Sequence, residues 1–446
     1  MRFKKSIIKT MLALTMAVLL TGCLRITADE LYSLPEVSPE YLRLQAHINV
    51  LLNQGEIFAA PTRGPNRQAV QLVDLNGSGT SEVIAFFAIP GESVLRVYIF
   101  ELLDGDYIIA DTIEGIGTEI ESVRYVDMDG DGTLEIVIGW QMGSALRYMS
   151  IYSINGLHSQ VLVSSVEYSE ITVYDLSGDG TEDVVIFRMP TLDAGAVAEV
   201  YSLMQDGEII KEEARLSYGI ESISRVLTGF LIDGSPTVVV DSEGSFDNGS
   251  LVTDVLVRTD NGFENVSLQI SSGVSDNTVR HRMASSDINK DGIIKVPYLR
   301  LLIAQSETEY FAIDWFAFRA SGQSRLALTT YHNTFDEWFL ILPFDWREKV
   351  SVRREDSVPG ERTIIFSFFA NPTGPHEDFL KIYKLSGENA EERARAGNRV
   401  LLRMEGTSAY AFEITARPDS FGLTFNETVI RDNFRLIYSD WLTGDS

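Results

Sequence analysis

The chain has 446 residues, 64 acidic against 37 basic, and a formal net charge of −27. A surface this negative repels nucleic-acid phosphates and excludes nucleic acid as a partner. Hydrophobic residues make up 45%, which excludes a disordered chain, and the single cysteine excludes an internal disulfide and any cysteine-based metal site.

Arg2, Lys4, Lys5 and Lys9 precede an apolar run from Met11 to Leu20, and Leu20-Thr21-Gly22-Cys23 follows. That run is far shorter than the roughly 20 residues a membrane-spanning helix needs, so residues 1–22 are predicted to be a secretion signal. The four residues ending in Cys23 resemble a bacterial lipobox. The resemblance implies lipidation at Cys23, cleavage before it and an extracytoplasmic protein held on the cell membrane by its lipid. Loss of the four basic residues leaves the mature chain more negative still.

Residues 23–37 read as anchor and tether. Pro39 and Glu40 after Ser38 predict a helix start, with Tyr41, Leu44, Ile48, Leu51 and Leu52 on one face and Gly55 as the stop. From about residue 66 the period becomes that of β-strands and a repeat begins. VQLVDLNGSGTSEVIAFF from Val70, VRYVDMDGDGTLEIVIGW from Val123, ITVYDLSGDGTEDVVIFR from Ile171 and MASSDINKDGIIKVPYLR from Met283 align on Asp74, Asp127, Asp175 and Asp287. The last interval is about twice the others, and Ile223–Asp241 fills it as a copy without its acidic loop. Five copies at about 50 residues, each reading as four short strands, predict a β-propeller of four-stranded blades across 38–334, with a sixth or seventh diverged blade left open. Beyond residue 335, strand-like runs alternate with helical ones at 386–396 and 426–434, so 335–446 is expected to be a small α+β domain.

The loops carry the chemistry. In the second copy Asp127, Asp129, Asp131 and Glu135 stand at positions 1, 3, 5 and 9, with the Thr133 carbonyl at position 7. Such an oxygen-only set suits calcium in a structural role. The third copy offers Asp175, Ser177, Asp179, Thr181 and Asp183, and the first offers Asp74, Asn76, Ser78, Thr80 and Glu82. In the fifth, Asp287, Asn289 and Asp291 are followed by Lys295 at position 9, so that loop is expected to hold no metal. The Asp127 loop resembles the DxDxDGxxD loop of FG-GAP repeats in integrin α-subunit propellers and of bacterial VCBS-type repeats. Residues 38–333 resemble FG-GAP/VCBS-repeat lipoproteins of Clostridia-like bacteria, a surface family without assigned chemistry.

No nucleophile elbow, zinc-binding His-Glu-x-x-His or phosphate loop is present. Glu119 and Glu121 are the acid pair considered for a glycosidase or lyase, His281 and His332 the histidines considered for a propeller mouth. Trp140, Trp315, Trp338 and Trp346 are weighed as a ligand platform against blade packing. The leading expectation is a calcium-stabilised surface protein binding an extracellular protein or glycan; an enzyme acting on glycans and an envelope assembly scaffold are the alternatives.

Overall fold

The computed structural model describes residues 39–244, 250–275, 280–281, 283–303, 308–416 and 421–438. The predicted secretion signal, residues 1–22, and Cys23 lie outside them. The chain is mainly β and divides into two compact units.

Among the described residues, the smaller unit comprises 39–60, 68–73 and 81–116. Helix α1 (Pro39–Asn53) buries Leu44, Ile48 and Leu51 at helical spacing against Val83, Phe87, Tyr98 and Phe100. Tyr41, expected on that face, is exposed. The sheet contains β1 (Ile57–Phe58), β2 (Val70–Val73), β3 (Glu82–Ala88), β4 (Val94–Leu103) and β5 (Asp106–Ile116). Strand β3 is central and carries β1 and β2 on the same edge. Buried Glu56 accepts hydrogen bonds from Arg96 (2.8 Å) and the Tyr98 hydroxyl (2.7 Å).

In the larger unit, β6 (Glu119–Val126), β7 (Glu135–Met142), β8 (Leu146–Asn155) and β9 (His158–Glu167) form an antiparallel meander. The next is β10 (Glu170–Tyr174), β11 (Asp183–Arg188), β12 (Val197–Leu203) and β13 (Ile209–Arg215). The degenerate copy forms β14 (Ile220–Phe230), β15 (Pro236–Gly244), β16 (Ser250–Thr259) and β17 (Gly262–Asn265). A ribbon of β18 (Leu268–Gln269) and β19 (Val274–Ser275) follows, and β20 (Arg280–His281) pairs with β16. The last repeat forms β21 (Lys295–Leu301), β22 (Phe311–Phe318), β23 (Ser324–Asn333) and β24 (Trp338–Leu342). These are the four-stranded antiparallel sheets that the repeat predicts.

The C-terminal stretch departs from expectation. The boundary placed at residue 335 falls inside the β23–β24 hairpin, where Asn333 pairs with Trp338. Strands β25 (Val350–Glu355), β26 (Glu361–Phe369), β27 (His376–Leu385), β28 (Val400–Glu405) and β29 (Ser408–Ile414) make another sheet, ordered β25-β26-β27-β29-β28. Trp338 and Leu340 share one core with Trp346, Phe366 and Phe379, so these two sheets bury a common apolar face. The helix expected over 386–396 shrinks to α2 (Ala390–Ala394), because Gly387 and Asn389 hold left-handed φ of 88° and 56°. Ala390 and Ala394, one turn apart, pack on Ala409 and Ala411. Helix α3 (Glu427–Asn433) is capped by the Asn426 side chain, and β30 (Phe434–Leu436) returns to pair with β24.

Gly139 sits under a buried hydrogen bond. A Cβ there would stand 2.2 Å from the Tyr168 hydroxyl and 2.9 Å from Glu121 Oε2, two atoms that themselves bond at 2.7 Å. Gly139→Ala should therefore lower unfolding stability by about 2–3 kcal/mol through overpacking and loss of that bond. Gly195→Ala, where a Cβ meets nothing within 4 Å, is the control and should change it far less. Denaturant melts of both variants check this.

Candidate metal centre

The loops joining the first two strands of successive repeats share one hydrogen-bond plan. The leading aspartate turns its carboxylate inward and accepts backbone N–H groups from the glycine-rich turn. Asp127 accepts from Gly130 (2.8 Å) and Gly132 (3.2 Å), and Asp175 from Gly178 (2.6 Å) and Gly180 (2.9 Å). Asp74 accepts from Ser78 (3.0 Å) and Gly79 (2.8 Å), and Asp287 from Asp291 (3.0 Å) and Gly292 (2.7 Å). The glycine five residues on has positive φ in all four loops, 82–92° for Gly79, Gly132 and Gly180 and 81° for Gly292. A side chain is disfavoured there, so each Asp and its glycine act together.

Neighbouring loops are also stitched to one another. The Leu134 N–H donates to the Leu75 carbonyl (2.8 Å), Glu182 to the Asp127 carbonyl (3.2 Å) and Ile294 to the Phe230 carbonyl (3.0 Å). In every case the eighth residue of one loop reaches the start of the preceding one. Gly77 permits that approach, since a Cβ on it would lie 2.7 Å from the Gly132 carbonyl oxygen.

Within this shared frame the loops differ in what they offer a cation. In the Asp127 loop, carboxylate oxygens of Asp127, Asp129 and Asp131 lie within 4.8 Å of one another. Calcium–oxygen distances of about 2.4 Å allow two ligands on opposite sides of an ion to stand about 5 Å apart, so the donors fit a hard divalent cation. Glu135 is buried beneath them and accepts the Met128 N–H at 3.0 Å. Burial, then the three nearby aspartates, push its carboxyl up to about 7. Burial and the neighbouring carboxylates also raise Asp129. Thr133 donates its N–H to Asp131 (2.6 Å), which fixes the turn that carries its carbonyl.

The Asp175 loop is poorer. Ser177 hydrogen-bonds Asp175 (3.3 Å), and the Thr181 N–H and hydroxyl both bond Asp179 (2.9 and 2.6 Å). Asp183 is buried, accepts the Leu176 N–H and the Ser202 hydroxyl, and faces Arg258 at 3.5 Å, so its charge is already engaged. In the first loop Asn76 and Ser78 bond each other (2.9 Å) and the Ser78 hydroxyl reaches the Thr80 carbonyl (3.4 Å). Glu82 is a buried carboxylate at the start of β3 in the other unit. The degenerate loop is shorter: Phe230 pairs with Pro236, and Asp233 instead accepts the Ala320 N–H (2.9 Å).

Other sequence candidates take structural places. Glu121 is buried, with Oε1 bonded by Arg63 (3.2 Å) and Oε2 by Tyr168 (2.7 Å), so it is no partner for exposed Glu119 in acid–base work. Trp140, Trp315, Trp338 and Trp346 are all buried, which settles them as packing residues and not a ligand platform. His332 stacks on Phe339 with ring centroids 4.9 Å apart, inside the fold; the His281 side chain lies outside the described residues.

Sequence reasoning missed a groove of about 1180 Å³ between the β11–β12 turn and the β18–β19 ribbon. Leu192 and Ile270 are fully exposed there (104% and 101%) and Tyr218 is 79% exposed. Arg188 and Arg215 lie in one cross-strand row with Val197 between them and line the same groove. Arg188 is anchored by Glu199, which is wholly buried and also bonded by Lys211 (2.8 Å) and Tyr201 (2.6 Å). The only sequence signal was Pro190-Thr191-Leu192-Asp193, a turn holding an apolar residue.

No protein-family model and no curated protein matches the chain. Solved structures that match include the Dos1 propeller, at 9% identity and a TM-score of 0.25 over 75% of this chain and 65% of that one. A Photorhabdus luminescens Tc holotoxin pore matches at 14% identity and a TM-score of 0.21 over 71% of this chain. The chain spans 65% of the length of the first and 15% of the second.

Two outcomes follow. Asp175→Ala removes both N–H acceptors of its loop and should cost about 1–2 kcal/mol in EDTA, because the loss does not depend on metal; denaturant melts measure it. Burial holds His332 down at about 3, so the unfolded chain binds the extra proton between that value and the ordinary one near 6.5. Stability from this group is therefore full above pH 6.5 and falls with acidification. His332→Phe should reduce the loss between pH 7 and pH 5 by about 2 kcal/mol, read from the same melts.

Proposed function

We propose that the chain is a lipid-anchored binding protein of the cell surface: a calcium-stabilised β-propeller that presents a groove to an extracellular protein or glycan. Acylation at Cys23 would tie it to the extracytoplasmic face of the membrane, with residues 24–37 as tether. The successive four-stranded meanders and the loop-to-loop stitching support reading the repeats as consecutive blades of an FG-GAP-type propeller. Asp127, Asp129, Asp131 and the Thr133 carbonyl would hold calcium most firmly, with Glu135 beneath; the Asp175 and Asp74 loops have fewer free carboxylates. The ion would supply positive charge to a crowded acidic loop and so stiffen the hairpin.

The observation that carries the binding role is the groove. Fully exposed Leu192 and Ile270 beside Tyr218 form an apolar rim of the kind that marks an interaction site, and Tyr supplies a rigid contact surface at small entropic cost. Below the rim, Arg188 and Arg215 offer donors while Glu167 and Glu213 offer acceptors. That mixture suits a ligand rich in neutral hydroxyl or amide groups.

The test uses immobilised protein of residues 24–446 exposed to envelope polysaccharides and to solubilised envelope proteins, in calcium and in EDTA. One ligand class should be retained, and Tyr218→Ala/Ile270→Ser should weaken retention at least about tenfold. Asp129→Ala/Asp131→Ala should remove the calcium dependence. Equal retention by the groove variant would overturn the placement of the site, and no retention in any arm would overturn the binding role.

A further inference from the structure

The Asp287 loop follows the Asp127 loop position for position. Asp287 stands for Asp127, Asn289 for Asp129, Asp291 for Asp131 and Ile293 for Thr133. The backbone agrees: Asp291 accepts the Ile293 N–H at 3.0 Å as Asp131 accepts that of Thr133. Ser286 and Lys295 close the loop with a pair of backbone bonds (3.0 and 2.9 Å). The difference is at position 9, where Lys295 replaces Glu135.

Lys295 is only 2% exposed, and its ammonium points back into the loop. Nζ lies 2.6 Å from Asp291 Oδ1, 2.9 Å from the Ile293 carbonyl oxygen and 3.7 Å from Asp287 Oδ1. These oxygens come from positions 5, 7 and 1, the donors that Asp131, Thr133 and Asp127 supply in the second loop. A buried ammonium is tolerated only when paired and hydrogen-bonded. Here a loop of metal-binding pattern provides the pairing.

We infer that Lys295 is the resident cation of the Asp287 loop, a covalently attached substitute for a metal ion. The loop then keeps its shape without metal, and the ammonium bars a metal from the oxygens it occupies. Any dependence of the repeats on calcium is confined to the loops before it. The same correspondence assigns the cation of the second loop to Asp127, Asp131 and the Thr133 carbonyl. That last assignment rests on the proposed calcium reading, whereas the role of Lys295 does not.

The experiment measures calcium by isothermal titration and terbium by luminescence on the mature protein, on Asp287→Asn, on Lys295→Glu and on Lys295→Glu/Asp287→Asn. Asp287→Asn should leave the stoichiometry of the parent protein unchanged. Lys295→Glu, which copies position 9 of the second loop, should gain one equivalent that the double variant loses. Amide exchange across 286–295 in the parent protein should be equal in calcium and EDTA, a readout that survives if Lys295→Glu does not fold. A lower stoichiometry in Asp287→Asn, a folded Lys295→Glu that gains nothing, or exchange that quickens in EDTA would each overturn the inference. A parent protein that binds no calcium beside a Lys295→Glu variant that gains one equivalent would instead overturn the calcium reading of the earlier loops and leave this one standing.

Discussion

A carboxylate folded back onto its own turn is the interaction on which the repeats depend. Asp74, Asp127, Asp175 and Asp287 each satisfy two backbone N–H groups that a tight turn would otherwise leave to water. The turn holds the first two strands of a repeat in register, and the eighth residue of the next loop can then reach back to it. Charge is concentrated as a by-product. Every aspartate recruited to shape the loop adds a negative oxygen to a small volume, and such a cluster attracts positive charge.

The copies differ in what surrounds that charge. The Asp127 loop gathers three carboxylates and buries a fourth in Glu135, raised by its surroundings. The Asp175 loop has a serine in place of one aspartate, and Arg258 faces Asp183. The Asp287 loop takes Lys295 inside. The degenerate copy drops the leading aspartate, shortens the turn and keeps only the strands. One backbone plan therefore tolerates different charged surroundings, because N–H···carboxylate bonds give the loop its shape.

A second use of carboxylates runs between strands. Glu56, Glu121, Glu199 and Asp314 are buried, and each is held by an arginine together with a tyrosine or threonine hydroxyl. Removing one partner of such a cluster leaves a buried charge uncompensated, so these contacts specify how strands meet more than they add net stability.

The period-two strands, the Asp–Gly spacing of the loops and the amphipathic α1 were legible in the sequence, since each depends on residues close together in the chain. What lay beyond sequence depends on partners far apart. Asp183 is set beside Arg258 and Glu121 beneath Tyr168; the tryptophans become core, and the β24 hairpin carries the fold past residue 335. Lys295 marks the division most sharply. Its position in the loop was plain and its charge predicted exclusion of metal, but its place among the oxygens of Asp287, Asp291 and Ile293 is decided by burial, which only the packed sheet provides.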